Sequence, residues 1–133
     1  MRKRLLNIAE VKFFKMDYEK VMRELERYAK KSLEKKAEVV ILIGSLARGD
    51  YTAFSDADVI IITKEASRNP IERLSKYMDP TLPIDLQVRV YTYDELKRMA
   101  FESRRIIREI VSYGRILAGS SHIIDDLKRM LSS

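Results

Sequence analysis

The stretch that most restricts the fold runs from Val39 to Thr63. A wholly apolar run, Val39-Val40-Ile41-Leu42-Ile43, stops at Gly44-Ser45. Ten residues later Asp56-Ala57-Asp58 leads straight into a second apolar run, Val59 to Thr63. Short β-branched runs bounded by glycine and polar residues read as buried strands. The segment between them, Ser45 to Phe54, has room for a short helix and a loop. Strands alternate sides with period two, so Asp56 and Asp58 project from one face at the mouth of a strand that is otherwise buried.

The rest of the chain supplies layers to cover such strands. Asp17 to Lys36 reads as an amphipathic helix, capped by Asp17, with Val21, Leu25, Tyr28 and Leu33 near one face. Lysines crowd its last turns, where they complement the helix dipole. Ile84 to Val90 alternates apolar with polar residues and predicts a third strand. Asn69 to Met78, bounded by Pro70 and Pro80, predicts a connecting helix. Thr92-Tyr93-Asp94-Glu95 has capping-box spacing and opens a helix through Leu96 and Met99. The pattern Ile106, Ile107, Ile110, Val111 carries the helical reading on to Gly114, a natural stop. A last helix is predicted from Ser121 to Leu131, and residues 1 to 16 read as a short helix or strand packed on the body. The expected architecture is α/β (α+β), a small mixed sheet flanked by helices. Its 133 residues make one domain, with its motif core at about 36–118.

Composition narrows the chemistry. No cysteine is present, which removes disulfides, thiolate catalysis and cysteine-based zinc sites. A single histidine, His122, leaves neither a histidine metal cluster nor a catalytic triad as a reasonable reading, and it fits a solvated helix start. No apolar stretch approaches a membrane span, and the basic start Met1-Arg2-Lys3-Arg4 is followed by charges rather than an apolar core, so a cytoplasmic protein is expected. Twenty-six Lys and Arg against twenty Asp and Glu leave a net charge of +6, which favours anionic partners without choosing among them.

Gly44-Ser45, at a strand-to-helix turn, offers open N–H groups and a hydroxyl to a phosphate. Taken alone it is a turn more often than a phosphate site. Arg48, one turn on, suits either a phosphate contact or a surface salt bridge with Asp50 or a glutamate elsewhere. Tyr51 fits base stacking or simple packing, and Ser55 either orients Asp56 or caps the turn. Asp56 and Asp58 repel one another unless a cation lies between them, and Mg²⁺, a hard ion that keeps waters and phosphate oxygens as ligands, answers that repulsion. If the third strand lies beside the second, Asp85 joins them. Three carboxylates can hold two metal ions that clamp the attacking and leaving oxygens of a phosphoryl displacement.

The series apolar-Gly-Ser, ten residues, Asp-x-Asp, then a later aspartate in an apolar strand resembles the nucleotidyltransferase signature of the DNA polymerase beta superfamily. The fuller string G-S-L-A-R-G, then S-D-A-D-V, resembles its smallest branch, the minimal nucleotidyltransferases (MNT) of HEPN/MNT toxin–antitoxin pairs, as does the close I-V-S-Y-G-R-I-L. Ala57 departs from the Ile, Val or Leu more usual there and removes no ligand. The resemblance covers roughly 36–118. It implies that Gly44 and Ser45 hold a nucleoside triphosphate and that Asp56, Asp58 and Asp85 are catalytic and metal-binding; Arg48 is expected to add a phosphate contact and two Mg²⁺ ions to serve the reaction.

The implied activity moves NMP, chiefly AMP from ATP, to a hydroxyl acceptor on a HEPN-like partner protein, with the chain acting as antitoxin. The apolar positions of the C-terminal helices are then a docking face, or else core. Two other classes stand beside this reading: a nucleotide-binding module that neutralises its partner by contact, and a small-molecule (aminoglycoside-like) transferase working as a homodimer. Nucleic-acid binding is disfavoured, because no basic strand interleaved with aromatics is visible.

Overall fold

A computed structural model describes residues 16–132. The expectation for residues 1 to 16 falls almost wholly outside that range. The elements are α1 (Tyr18–Glu34), β1 (Ala37–Ile43), α2 (Gly44–Arg48), β2 (Ala57–Thr63), α3 (Pro70–Ser75), β3 (Leu86–Thr92), α4 (Tyr93–Phe101), α5 (Arg105–Tyr113), β4 (Arg115–Gly119) and α6 (His122–Ser132). The strands form one four-stranded sheet in the order β3-β2-β1-β4. β1 pairs antiparallel with β2 and β4, while β2 and β3 run parallel, so the sheet is mixed.

Each central strand is buried on both sides because its alternating residues feed two cores. On one face Val40, Leu42, Val59 and Ile61 pack with Val21, Leu25 and Tyr28 of α1. On the other, Ile41, Ile43, Ile60 and Ile62 pack with α4, α5 and α6 through Leu96, Ile107, Ile110 and Leu127. Ile107, Ile110 and Leu127 are wholly buried, so these apolar positions of the C-terminal helices belong to the core. The Tyr28 hydroxyl donates to the carbonyl of Tyr77 at 2.6 Å and fastens α1 to the segment that follows α3; burial pushes its pKa up to about 12.

Three differences from the sequence reading have local causes. The helix expected from Thr92 to Gly114 is two helices, because the chain turns at Ser103, whose φ is 53°. β3 starts two residues later than expected, which leaves Asp85 just ahead of the strand. Arg115–Gly119, to which the sequence reading gave no element, is the edge strand β4. Among the described residues no helix is long and apolar enough to cross a membrane.

Candidate active site

Asp58 lies on the sheet face that carries Ile60 and Ile62, level with Ile43 where β1 ends. Gly44 follows at once with φ +77°, a conformation that suits glycine. A Cβ placed on Gly44 would sit 2.3 Å from Asp58 Oδ2, so the absence of a side chain is what seats the carboxylate against the first turn of α2. That turn has no side-chain cap, since Ile43 occupies the capping position. The half-buried Ser45 hydroxyl has no hydrogen-bond partner among the described residues.

Asp56 stands one residue ahead of β2 and accepts a hydrogen bond from Gln87 Nε2 at 3.2 Å. Gln87 is in register with Asp58 across the parallel pairing. The Ala57 N–H donates to the carbonyl of Asp85 at 2.8 Å, which holds Asp85 level with Asp56. Asp56 and Asp85 line one cavity of about 580 Å³ with Phe54, Leu82 and Ile84, and Asp58 is not in that lining. The structure thus brings Asp56 beside Asp58 on one side and beside Asp85 on the other. Among the described residues no group of three or more carboxylate or imidazole side chains is gathered closely enough to hold an ion by itself.

Burial raises the Asp58 pKa from its ordinary value. Arg89 opposes the shift, Asp56 and Glu109 add to it, and Arg48 opposes it. A half-buried carboxylate under that repulsion gains from a cation, and the two aspartates offer the oxygen donors that a hard ion prefers. The donor set fits a divalent ion at Asp56 and Asp58 whose remaining ligands come from water or phosphate oxygens.

Arg48 closes α2 and is held by two carboxylates, Asp50 at 3.3 Å and Glu109 at 3.0 Å. Glu109, from α5, is a site neighbour that the sequence reading missed. Nothing in chain order ties it to Gly44 or Asp58, and only the docking of α5 on α2 brings it in. Gln87 was also missed, although the alternation in Ile84-Asp85-Leu86-Gln87 puts it on the face of Asp85. Tyr51 stacks on Tyr18 with ring centroids 4.9 Å apart, which fits the packing reading. Ser55 Oγ accepts from the Thr52 N–H at 2.8 Å and closes a turn. His122 is exposed at the first residue of α6.

Residues 22–117 match the family model described as the nucleotidyltransferase domain. A protein of Methanocaldococcus jannaschii, provisionally named a protein adenylyltransferase, is 31% identical over 104 residues, 74% of this chain and 97% of that protein. Among solved structures, a chain of a toxin–antitoxin crystallised with AMP-PNP superposes with a TM-score of 0.58 at 19% identity, covering 80% of this chain and 84% of that one. A chain from the tri-AMPylated Shewanella oneidensis HEPN toxin in complex with MNT antitoxin gives 0.53 at 14% identity, covering 86% and 84%. These two likenesses are of fold.

Proposed function

This chain belongs to the nucleotidyltransferase domain family, and on that premise we propose that it moves AMP from ATP to a hydroxyl group of a partner protein. One observation carries the reading beyond the family: the Asp58 carboxylate rests directly on Gly44, where the uncapped α2 begins, so acid and phosphate seat share one spot. In this proposal Gly44 and Ser45 receive the triphosphate, with Arg48 beside them. Asp56 and Asp58 hold Mg²⁺, which when bound neutralises phosphate charge and lowers the pKa of a coordinated hydroxyl. Gln87 fixes the Asp56 carboxylate by its hydrogen bond.

The acceptor enters the cavity lined by Asp56 and Asp85. Its hydroxyl oxygen forms a bond to the α-phosphorus, the bond from that phosphorus to the bridging oxygen breaks, and pyrophosphate leaves. Asp85 takes the hydroxyl proton. The toxin–antitoxin complexes among the structural neighbours support a HEPN-like protein as the acceptor, met in the cytoplasm, with this chain as its antitoxin.

A second reading, nucleotide binding that supports neutralisation by contact without transfer, is favoured by one feature: the three aspartates are not drawn into a single group. One experiment separates the two. The purified protein is incubated with α-labelled ATP, Mg²⁺ and a lysate of its own cells, with Asp85→Asn alongside. A single labelled protein band that is absent with Asp85→Asn supports transfer. ATP·Mg²⁺ binding without label supports the contact reading. The Asp85 variant is expected to bind nucleotide nearly as well as the parent while losing transfer, and parental transfer rates would remove the aspartate's assigned role.

A further inference from the structure

α5 turns its apolar face, Ile107 and Ile110, into the sheet, and its other face carries Arg105, Arg108 and Ser112 at spacings of three and four residues. These three, with Arg48, Glu109 and Tyr113, line a cavity of about 370 Å³ between α5 and the end of α2. Three guanidinium groups face one carboxylate there. Arg48 is already paired with Glu109 and Asp50, whereas Arg105 and Arg108 have no ion-pair partner among the described residues. α5 also starts without a side-chain cap and without an acidic residue in its first turn. Nothing on the α5 side of the cavity except Glu109 offsets the positive charge, so the cavity suits an anion that can meet several guanidinium groups at once.

Its position gives that anion a chemical class. Arg48, which lines the cavity, ends the short helix α2 whose first residue, Gly44, lies against the Asp58 carboxylate, so one helix joins the cavity to the carboxylate site. Gly44 and Arg48 stand four residues apart on α2, roughly 6 Å along the helix, about the reach of a short phosphate chain. We propose that Arg105 and Arg108 hold the terminal phosphates of the bound donor and the pyrophosphate that remains after transfer, with Glu109 as the group that weakens this grip and lets pyrophosphate go. This deepens the nucleotide reading of the site and rests on it. Solvated surface arginines would have no such preference for phosphate number.

The test is calorimetric titration of the full chain with inorganic tripolyphosphate, pyrophosphate, ATP and AMP at fixed ionic strength. The pair Arg105→Ala/Arg108→Ala should weaken tripolyphosphate and ATP at least tenfold and leave AMP unchanged. Arg105→Lys/Arg108→Lys should restore part of the loss, and Glu109→Gln should tighten tripolyphosphate several-fold. Lys30→Ala/Lys31→Ala removes the same charge from exposed positions on α1 and should change nothing. Parental tripolyphosphate affinity in the alanine pair, or an equal loss in the α1 control, overturns the proposal. Both arginines are exposed, so folding should survive, and each single alanine variant reads the same effect if the pair does not fold. If the labelled-ATP assay gives transfer while tripolyphosphate ignores the arginines, this cavity fails and the enzyme reading stands. If transfer is absent but tripolyphosphate affinity falls in the alanine pair, the enzyme reading fails and the cavity stands.

Discussion

A carboxylate that is half-buried beside two other acids costs the folded state stability, and Asp58 is in that position. Its folded pKa lies above the unfolded value of 3.8, so between the two the folded chain binds more protons and stability falls as pH rises. Above that window the cost is fully present. Asp58→Asn is therefore expected to raise the melting temperature of the ligand-free protein by a few degrees at neutral pH. The gain should vanish below the carboxylate range, and Mg²⁺-dependent nucleotide binding should be lost at every pH. Thermal scans of both proteins across pH check the sign, and a variant less stable at pH 7 would contradict it. Gly44→Ala has the opposite character, because it forces a side chain into positive φ and onto Asp58 Oδ2. It should cost about 1–3 kcal/mol in denaturant unfolding and remove ATP·Mg²⁺ binding as well. A variant that kept full binding would show that the carboxylate seat is not needed.

At the scale of elements, Thr92 links the sheet edge to a helix. Its hydroxyl accepts from the Glu95 N–H at 3.1 Å, and Glu95 accepts from the Thr92 N–H and from Arg73, both at 2.8 Å. Thr92→Ala should cost about 1–2 kcal/mol of stability, measured by chemical denaturation, since it removes the hydroxyl that accepts from the first turn of α4. This capping box was legible in the sequence because its signal is local: four consecutive residues and a change of period. The cap at Asp17 and the apolar cores of β1 and β2 were legible for the same reason. Strand β4 was not, because Arg115–Gly119 is short, half-exposed and stabilised by pairing with β1 rather than by its own pattern. The break after α4 was also hidden, since Met99 and Ile106 continue one another's helical phase across Ser103. Of the candidate site, Gly44, Ser45, Asp56, Asp58 and Asp85 could be picked out by spacing along adjacent strands. Glu109 could not, because its relation to Arg48 spans 61 residues and depends on how α5 lies on α2.

For the whole molecule, fold and site draw on separate resources. The two apolar cores lie on opposite faces of the sheet and are made of aliphatic and aromatic side chains. The candidate site sits at one end of those strands and adds charge repulsion rather than cohesion. Removing divalent ions with EDTA should then leave the melting temperature within about 1 °C of its value in Mg²⁺ alone, because a pair of aspartates without phosphate ligands holds the ion weakly. ATP together with Mg²⁺ should act differently, since a ligand at a hundred times its dissociation constant adds about 2.7 kcal/mol to the folded state. That is a rise on the order of 10 °C for a chain of this size. Either component alone should give much less, and Asp56→Asn should abolish the rise without lowering the baseline. A steep fall in EDTA would mean that an ion holds the strand ends together, and the division between core and site would have to be abandoned.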